Sequence, residues 1–271
     1  MELFSQICQD IKAIRIQGAE HIARAAVIAL KLKHTPESIK ILRNLRPTEP
    51  TLQNALDYAL RFGVDETVSM MDGMQEKITA TGKKYVHDNT IVFTHCHSST
   101  VTDILRKAKE GGKQFIVHNT ETRPLYQGRK TSMELASLHI QNKHFVDSAM
   151  GIAMKDANVC FVGADAITSH FVYNKIGSRL AAEIAYNRKI PFYICASSWK
   201  TDPKAFAGKE TVIEYRSGKE VWDTAPKGVE IMNPAFEQID PKMITGIICE
   251  FGVVSLTAFV KKVKKYNPWM F

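Results

Sequence analysis

The sequence predicts an α/β protein in two parts: a helical N-terminal domain over residues 1–86, and over residues 87–271 a Rossmann-like parallel sheet with helices on both faces. Three observations carry that prediction. Up to about Gly82 the apolar residues recur at helical spacing, and no strand is required. Beyond His87-Asp88-Asn89 the pattern changes to short apolar runs, each followed by a polar or glycine-containing turn and then a helix. Such alternation implies right-handed crossovers and a parallel sheet covered on both sides. With 45% hydrophobic residues in a chain of 271, there is enough apolar side chain to build the core this layout needs.

In the first part, Leu3, Ile7, Ile11 and Ile14 form one helical stripe, and Ile22, Ala26 and Leu30 form a second after a break at Gly18. Pro36 and the Arg46-Pro47-Thr48-Glu49-Pro50 stretch set off helices near 38–44 and 51–61, and a last long helix covers 65–83. In the second part the apolar runs are 90–94, 115–118, 144–146, 159–162, 192–196 and 244–249. No GxGxxG follows the first of them, which argues against a nicotinamide dinucleotide enzyme.

The five cysteines are Cys8, Cys96, Cys160, Cys195 and Cys249, an odd number without a CxxC pair. They are expected as reduced thiols, and all but Cys96 as small buried hydrophobes. A formal charge of +8 makes anionic partners plausible, phosphorylated metabolites or nucleic acid. No recognisable nucleic-acid motif is present, so no nucleic acid is expected; the basic run Lys261, Lys262, Lys264 and Lys265 falls on an amphipathic terminal helix and is expected as a solvated face. No run approaches the ~18 apolar residues of a membrane span, and the N-terminus lacks a signal-peptide pattern. A cytoplasmic protein with no membrane partner is the expectation.

Ligands of open α/β sheets gather beyond the carboxyl ends of the strands. Here those ends lead into Thr94-His95-Cys96-His97-Ser98-Ser99-Thr100, Asn119-Thr120-Glu121-Thr122-Arg123-Pro124, Asp147-Ser148, Gly163-Ala164-Asp165 and Ser197-Ser198-Trp199-Lys200. Ser98, Ser99 and Thr100 stand where a strand turns into a helix, a natural phosphate cradle or a simple N-cap. Cys96, at the same positive helix end, is expected to have a lowered pKa and to favour the thiolate. Asp165 leaves an apolar strand among small neighbours, so its carboxyl is expected to be partly desolvated and to hold a proton near neutral pH. Asn174 and Lys175 open another helix, and Lys200 adds a second cation; with Arg46 and Arg123 they suggest a clamp for more than one phosphate. His95, Cys96 and His97 invite a metal reading, but neighbours in an extended segment alternate sides, so no metal site is assigned. A Cys/His acyl-transfer site is the other alternative, although nothing assigns the histidine or third group that it needs.

These motifs resemble the archaeal ribose-1,5-bisphosphate isomerases, a family that includes methylthioribose-1-phosphate isomerases and the regulatory α, β and δ subunits of translation initiation factor 2B. The resemblance spans nearly the whole chain, through Gly18-Ala19, Arg46-Pro47-Thr48, Thr94-His95-Cys96-His97-Ser98, Thr120-Glu121-Thr122-Arg123-Pro124, Gln127-Gly128, Gly163-Ala164-Asp165, Asn174-Lys175-Ile176-Gly177, Trp199-Lys200 and Asn233-Pro234-Ala235-Phe236. It implies a catalytic cysteine at Cys96 and a catalytic aspartate at Asp165, with substrate contacts at Gly18, Ala19, Arg46, Ser98, Asn174, Lys175 and Lys200. One position departs: where the family's isomerases usually have Arg before Gly-Ala, this chain has Gln17, and Arg15 is the nearest substitute.

The resemblance further implies a phosphorylated sugar as substrate, no metal or organic cofactor, a homodimer built through the C-terminal domain or a homohexamer, a possible nucleotide activator, and a place in nucleotide salvage. It leaves two rivals: a non-catalytic regulatory protein binding a nucleotide or sugar phosphate, and isomerisation of methylthioribose 1-phosphate.

Overall fold

The computed structural model describes residues 2–13, 15–206 and 214–271; Ile14, the end of the first predicted stripe, lies outside them. The first part is helical as expected: α1 (Leu3–Lys12), α2 (Ala19–Leu32), α3 (Pro36–Leu45), α4 (Pro50–Phe62) and α5 (Val64–Gly82). Proline at the first position of α3 and α4 donates no N–H where none is needed, and a Thr35/Ser38 capping box closes the start of α3. The apolar stripes meet in one core of Ile11, Ile22, Ala26, Leu30, Leu42, Leu52, Leu56 and Met71. Trp199, far along the chain, completes it.

The second part runs β1 (Thr90–Thr94), α6 (Ser99–Glu110), β2 (Phe115–Thr120), α7 (Gln127–Ser137), β3 (Gln141–Phe145), α8 (Met150–Ala153), β4 (Val159–Val162), β5 (Ala166–Ile167), β6 (Val172–Lys175), α9 (Ser178–Arg188), β7 (Phe192–Cys195), α10 (Pro203–Phe206), β8 (Phe236–Ile239), β9 (Gly246–Cys249), β10 (Gly252–Val254) and α11 (Leu256–Tyr266). Seven strands form one sheet in the order β10-β9-β7-β4-β1-β2-β3, parallel except at the β10 edge. Successive strand residues face opposite sides, so Phe93, Cys160, Val162, Ile194 and Ile247 pack against α8, α9 and α11. Val92, Val117, Phe161, Cys195 and Ile248 face Ile78 of α5, Ile104 and Leu105 of α6 and Leu135 of α7 on the other side.

Three details depart from the sequence expectations. The third strand lies at 141–145 instead of 144–146, because an edge strand reading Gln-Asn-Lys-His-Phe is largely exposed and carries no apolar signature. Strand β10 is an antiparallel edge. A second, three-stranded sheet, β5-β6-β8, is antiparallel and pairs Lys175 with Phe236. Its strands are two to four residues long, and Asn174 and Lys175 end β6 instead of opening α9. As expected, Cys160, Cys195 and Cys249 are buried free thiols, whereas Cys8, also expected to be buried, is only half-buried; Lys261, Lys264 and Lys265 are exposed.

Candidate active site

Cys96 sits between the end of β1 and the start of α6 with φ +66°, a left-handed conformation that non-glycine residues seldom adopt. Two threonines hold it there. Its N–H donates to Thr122 Oγ1 at 3.0 Å, and its carbonyl accepts from Thr131 Oγ1 at 2.9 Å. The segment is therefore a turn and not the extended strand that the sequence suggested. His95 nonetheless points away: Nε2 lies 2.8 Å from the Ile176 carbonyl and Nδ1 2.5 Å from Thr120 Oγ1. A carbonyl only accepts, so Nε2 carries the proton and Nδ1 accepts from the threonine. Burial keeps His95 neutral, chiefly by disfavouring its charged form. His97 is held down to about 3 by burial, with Lys130 and His21 adding repulsion, and its Nδ1 meets Thr131 Oγ1 at 3.2 Å. No group of three or more histidine, cysteine or carboxylate side chains suited to a metal occurs among the described residues.

Asp165 follows β4, its N–H donating to the Tyr173 carbonyl at 2.9 Å, which places it between the two sheets. Burial raises its pKa and Glu214 adds to this, while Lys200 and Lys175 pull it back. The expectation of a proton-holding carboxyl thus has a physical basis. The expectation for Cys96 is reversed. Burial pushes the thiol up to about 12, with the negative charges of Asp165 and Asp147 adding to the rise and Lys175 opposing it. Desolvation, the largest of these effects, opposes the lowering that the expectation drew from the α6 terminus.

Cys96 and Asp165 line one cavity of about 160 Å³ with Gln17, Gly18, Ala19, Arg46, Glu49, His97, Lys175, Glu214 and Arg216. Gly18, at φ +89°, turns the chain into α2, so that the free N–H groups of a 14-residue helix start on the cavity wall. A second, adjoining cavity shares Gly18, Ala19, Cys96, His97 and Asp165 and adds Ser98, Ser99, Asn174 and Lys200. Lys175 is buried beside the Phe236 ring, 5.7 Å from its centroid. Gly177 permits the wall behind it: at φ +100°, a Cβ there would lie 2.6 Å from His95 Nε2.

A model of the initiation factor 2 subunit family matches residues 9–256. The chain belongs to that family. Among its relatives, the ribose 1,5-bisphosphate isomerase of Pyrococcus furiosus is 34% identical, over 98% of this chain and 94% of that protein. The protein of the same name from Methanocaldococcus jannaschii is 32% identical, over 100% of this chain and 97% of its own. Among solved structures, the translation initiation factor eIF-2B of Pyrococcus horikoshii OT3 superposes with a TM-score of 0.83 at 28% identity, covering 94% of this chain and 98% of that one.

Most residues singled out from the sequence therefore meet in the two adjoining cavities of this family member: Cys96, Asp165, Gly18, Ala19, Arg46, Ser98, Ser99, Asn174, Lys175 and Lys200. Ser98 also caps α6, accepting from the Val101 N–H, so the bland reading of that serine holds beside the functional one. Arg123 is the exception. Its guanidinium bonds Tyr126 Oη at 2.6 Å and the Val221 carbonyl at 3.0 Å, and it lines neither cavity. Arg15 does not replace the missing arginine either, because Asp10 holds its Nε at 2.6 Å; Gln17 itself faces the cavity.

Sequence reasoning missed Glu49, Glu214 and Arg216. Glu49 was visible only as part of a proline-flanked turn. Its pKa is raised to about 7 by burial, against the pull of Lys200, with Asp165 adding to the rise and Arg46 and Thr51 opposing it. Arg216 is held by Glu220 at 2.6 and 2.8 Å and by Glu214 at 3.4 Å. No local pattern marks such a residue, since the cavity it faces is assembled from segments as far apart in the chain as Gly18 and Phe236.

Proposed function

We propose that this chain converts ribose 1,5-bisphosphate to ribulose 1,5-bisphosphate, with Cys96 and Asp165 moving the protons. The observation that carries the reading is that these two groups share one cavity with three cations, Arg46, Lys175 and Arg216, and the open start of a helix. The names and full-length identity of the archaeal relatives support it.

The chemistry balances on these two groups. Asp165 as the acid gives its proton to the ring oxygen as the C1–O bond breaks, while Cys96 as thiolate takes the proton from C2, whose electron pair forms the C1–C2 double bond. The C2 hydroxyl of the resulting enol then returns a proton to Asp165 as C2 becomes a carbonyl, and the Cys96 thiol gives its proton to C1. Both groups end as they began. Burial keeps the proton on sulfur, and the negative charge of Asp165 adds to that effect. Protonating Asp165 removes that charge and favours the thiolate, so one proton exchanged between the pair sets up the reactive form. Each proton transfer contributes roughly 10²- to 10⁴-fold. Arg46, Lys175 and Lys200 orient the phosphates, assisted by the amides at Gly18 and Ala19.

A homodimer through the C-terminal part, or a homohexamer assembled from such dimers, is the assembly we propose. Large apolar side chains exposed there, among them Met133, Ile152 and Tyr215, support it, and light scattering after gel filtration tests it. A second reading, a regulatory protein that binds a nucleotide or sugar phosphate without turnover, draws on the P. horikoshii eIF-2B structure and on the protonated state of Cys96. The assay that separates them incubates pure protein with ribose 1,5-bisphosphate and with methylthioribose 1-phosphate and follows ketose formation by NMR. Ketose from the first alone supports the proposal; ketose from neither favours the regulatory reading.

A further inference from the structure

Thr122 shares the left-handed backbone of Cys96, with φ +60° against +66°. For a β-branched residue that conformation is strained, whereas glycine adopts it freely. Glycine has no hydroxyl, however, and the Thr122 hydroxyl is what the Cys96 N–H donates to, at 3.0 Å. Its own proton goes to the Thr120 carbonyl at 3.4 Å, and the side chain is fully buried. What keeps Thr122 in place comes from the neighbouring strand. β2 and β3 pair as far as Thr120 and Phe145, and the Glu121 N–H still reaches the Phe145 carbonyl at 2.9 Å. There the ladder ends, and the Asp147 carboxylate takes the next two N–H groups: Oδ1 accepts from Thr122 at 2.9 Å and Oδ2 from Arg123 at 2.7 Å.

Backbone strain of this kind persists only where the surroundings over-determine it, and here two strained residues are joined by one hydrogen bond whose acceptor side is clamped by a carboxylate. Asp147 itself lines neither cavity, so it acts through Thr122. We propose that Asp147 is a positioning residue for Cys96: by fixing Thr122 it holds the cysteine turn, and with it the sulfur, where the C2 proton is taken, a role that rests on the isomerase reading above. The sign of its effect separates positioning from electrostatics. The Asp147 charge disfavours the thiolate, so its removal alone would speed proton abstraction, whereas a displaced sulfur slows it.

The test compares wild type, Asp147→Asn, Thr122→Val and Thr122→Ser as full chains. It reads kcat and KM for ribose 1,5-bisphosphate, together with amide hydrogen exchange of protein labelled with heavy nitrogen only at its five cysteines. Asparagine keeps the shape of Asp147 but turns an NH2 toward one of the two N–H groups. We expect kcat to fall about tenfold or more with KM within about threefold. The Cys96 amide should exchange about tenfold or more faster, while the strand amides of Cys160, Cys195 and Cys249 keep their protection. Thr122→Val, which loses only the hydroxyl, does the same, and Thr122→Ser stays within about threefold of wild type in both readouts. A carboxylate that merely stabilised the fold would loosen all these amides together. That uniform loosening, or a Cys96 amide unchanged in Asp147→Asn, overturns the proposal; should this variant not fold, Asp147→Glu, which keeps the charge and displaces the acceptors, is scored in its place. A wild type without turnover removes the isomerase reading and leaves exchange to decide whether Asp147 holds the Cys96 turn. Turnover with kcat unchanged in the variants removes the positioning role and keeps the reaction.

Discussion

Asn54, on the fourth helix of the N-terminal part, donates its side-chain amide to the backbone carbonyl of Trp199 at 2.9 Å, and to that of Thr201 at 2.8 Å. The pair brackets Lys200. A residue of the helical part thereby fixes the loop after β7 that carries a cavity cation, while Trp199 fills the helical core. Asn54→Ala leaves two carbonyls without their buried donor, at about 1–3 kcal/mol for each unsatisfied group. We expect a urea midpoint lowered by an equivalent of about 2–4 kcal/mol and a raised KM as Lys200 loosens. Asn54→Asp fares worse, because a carboxylate faces the same two carbonyls.

Replacing Cys96 by Ser removes the group proposed to take the C2 proton while keeping its size. Turnover should fall by at least about 10²-fold, with the melting temperature and sugar-phosphate affinity nearly unchanged. Wild-type rates in this variant would exclude Cys96 as the base.

Asp165 and Cys96 share their electrostatics, which gives a test that needs no turnover. The charge of Asp165 helps hold the thiol up at about 12, so Asp165→Asn should lower the thiol pKa. Alkylation of Cys96, followed by mass spectrometry across pH, should then begin at lower pH in the variant. Lys175→Met removes the opposing charge and should shift the profile the other way. Identical profiles in all three proteins would disprove the coupling.

Glu49 has a folded-state pKa of about 7 against 4.5 when unfolded, so between those values the folded chain binds the proton more tightly. Its contribution to stability is complete below about pH 4.5 and is lost as the pH rises through 7. Glu49→Gln cannot ionise and avoids that loss. Denaturant unfolding should show the two proteins alike near pH 4.5 and the variant gaining about 1–3 kcal/mol by pH 8. A gain that is the same at both pH values would point to packing instead of proton linkage.

Much of the architecture was legible because it is written in short-range periodicity. The stripes of α1 to α4, the prolines that open α3 and α4, and the apolar runs of β1, β4, β7 and β9 each declare themselves within a few residues. The small antiparallel sheet did not, since strands of two to four residues such as Val172–Lys175 lack a period long enough to detect and are defined by partners, here Phe236–Ile239, more than sixty positions away. The edge strand Gln141–Phe145 was misplaced for the related reason that an exposed edge needs no apolar residues.

For the site, the sequence by itself determined which reactive groups end up at the carboxyl ends of the strands: Cys96 after β1, Asp165 after β4 and Lys200 after β7. Tertiary structure decided what those groups are chemically. It took Arg123 away to Tyr126 and Val221, brought Glu49 and Arg216 in, and reversed the expected state of Cys96. The physical reason is one of range. A hydrophobic period and a helix cap depend on near neighbours, whereas the desolvation that sets a pKa depends on everything that closes over the group, and at Cys96 that enclosure is assembled from α2, the turn at Glu49, the β4 end and the second sheet.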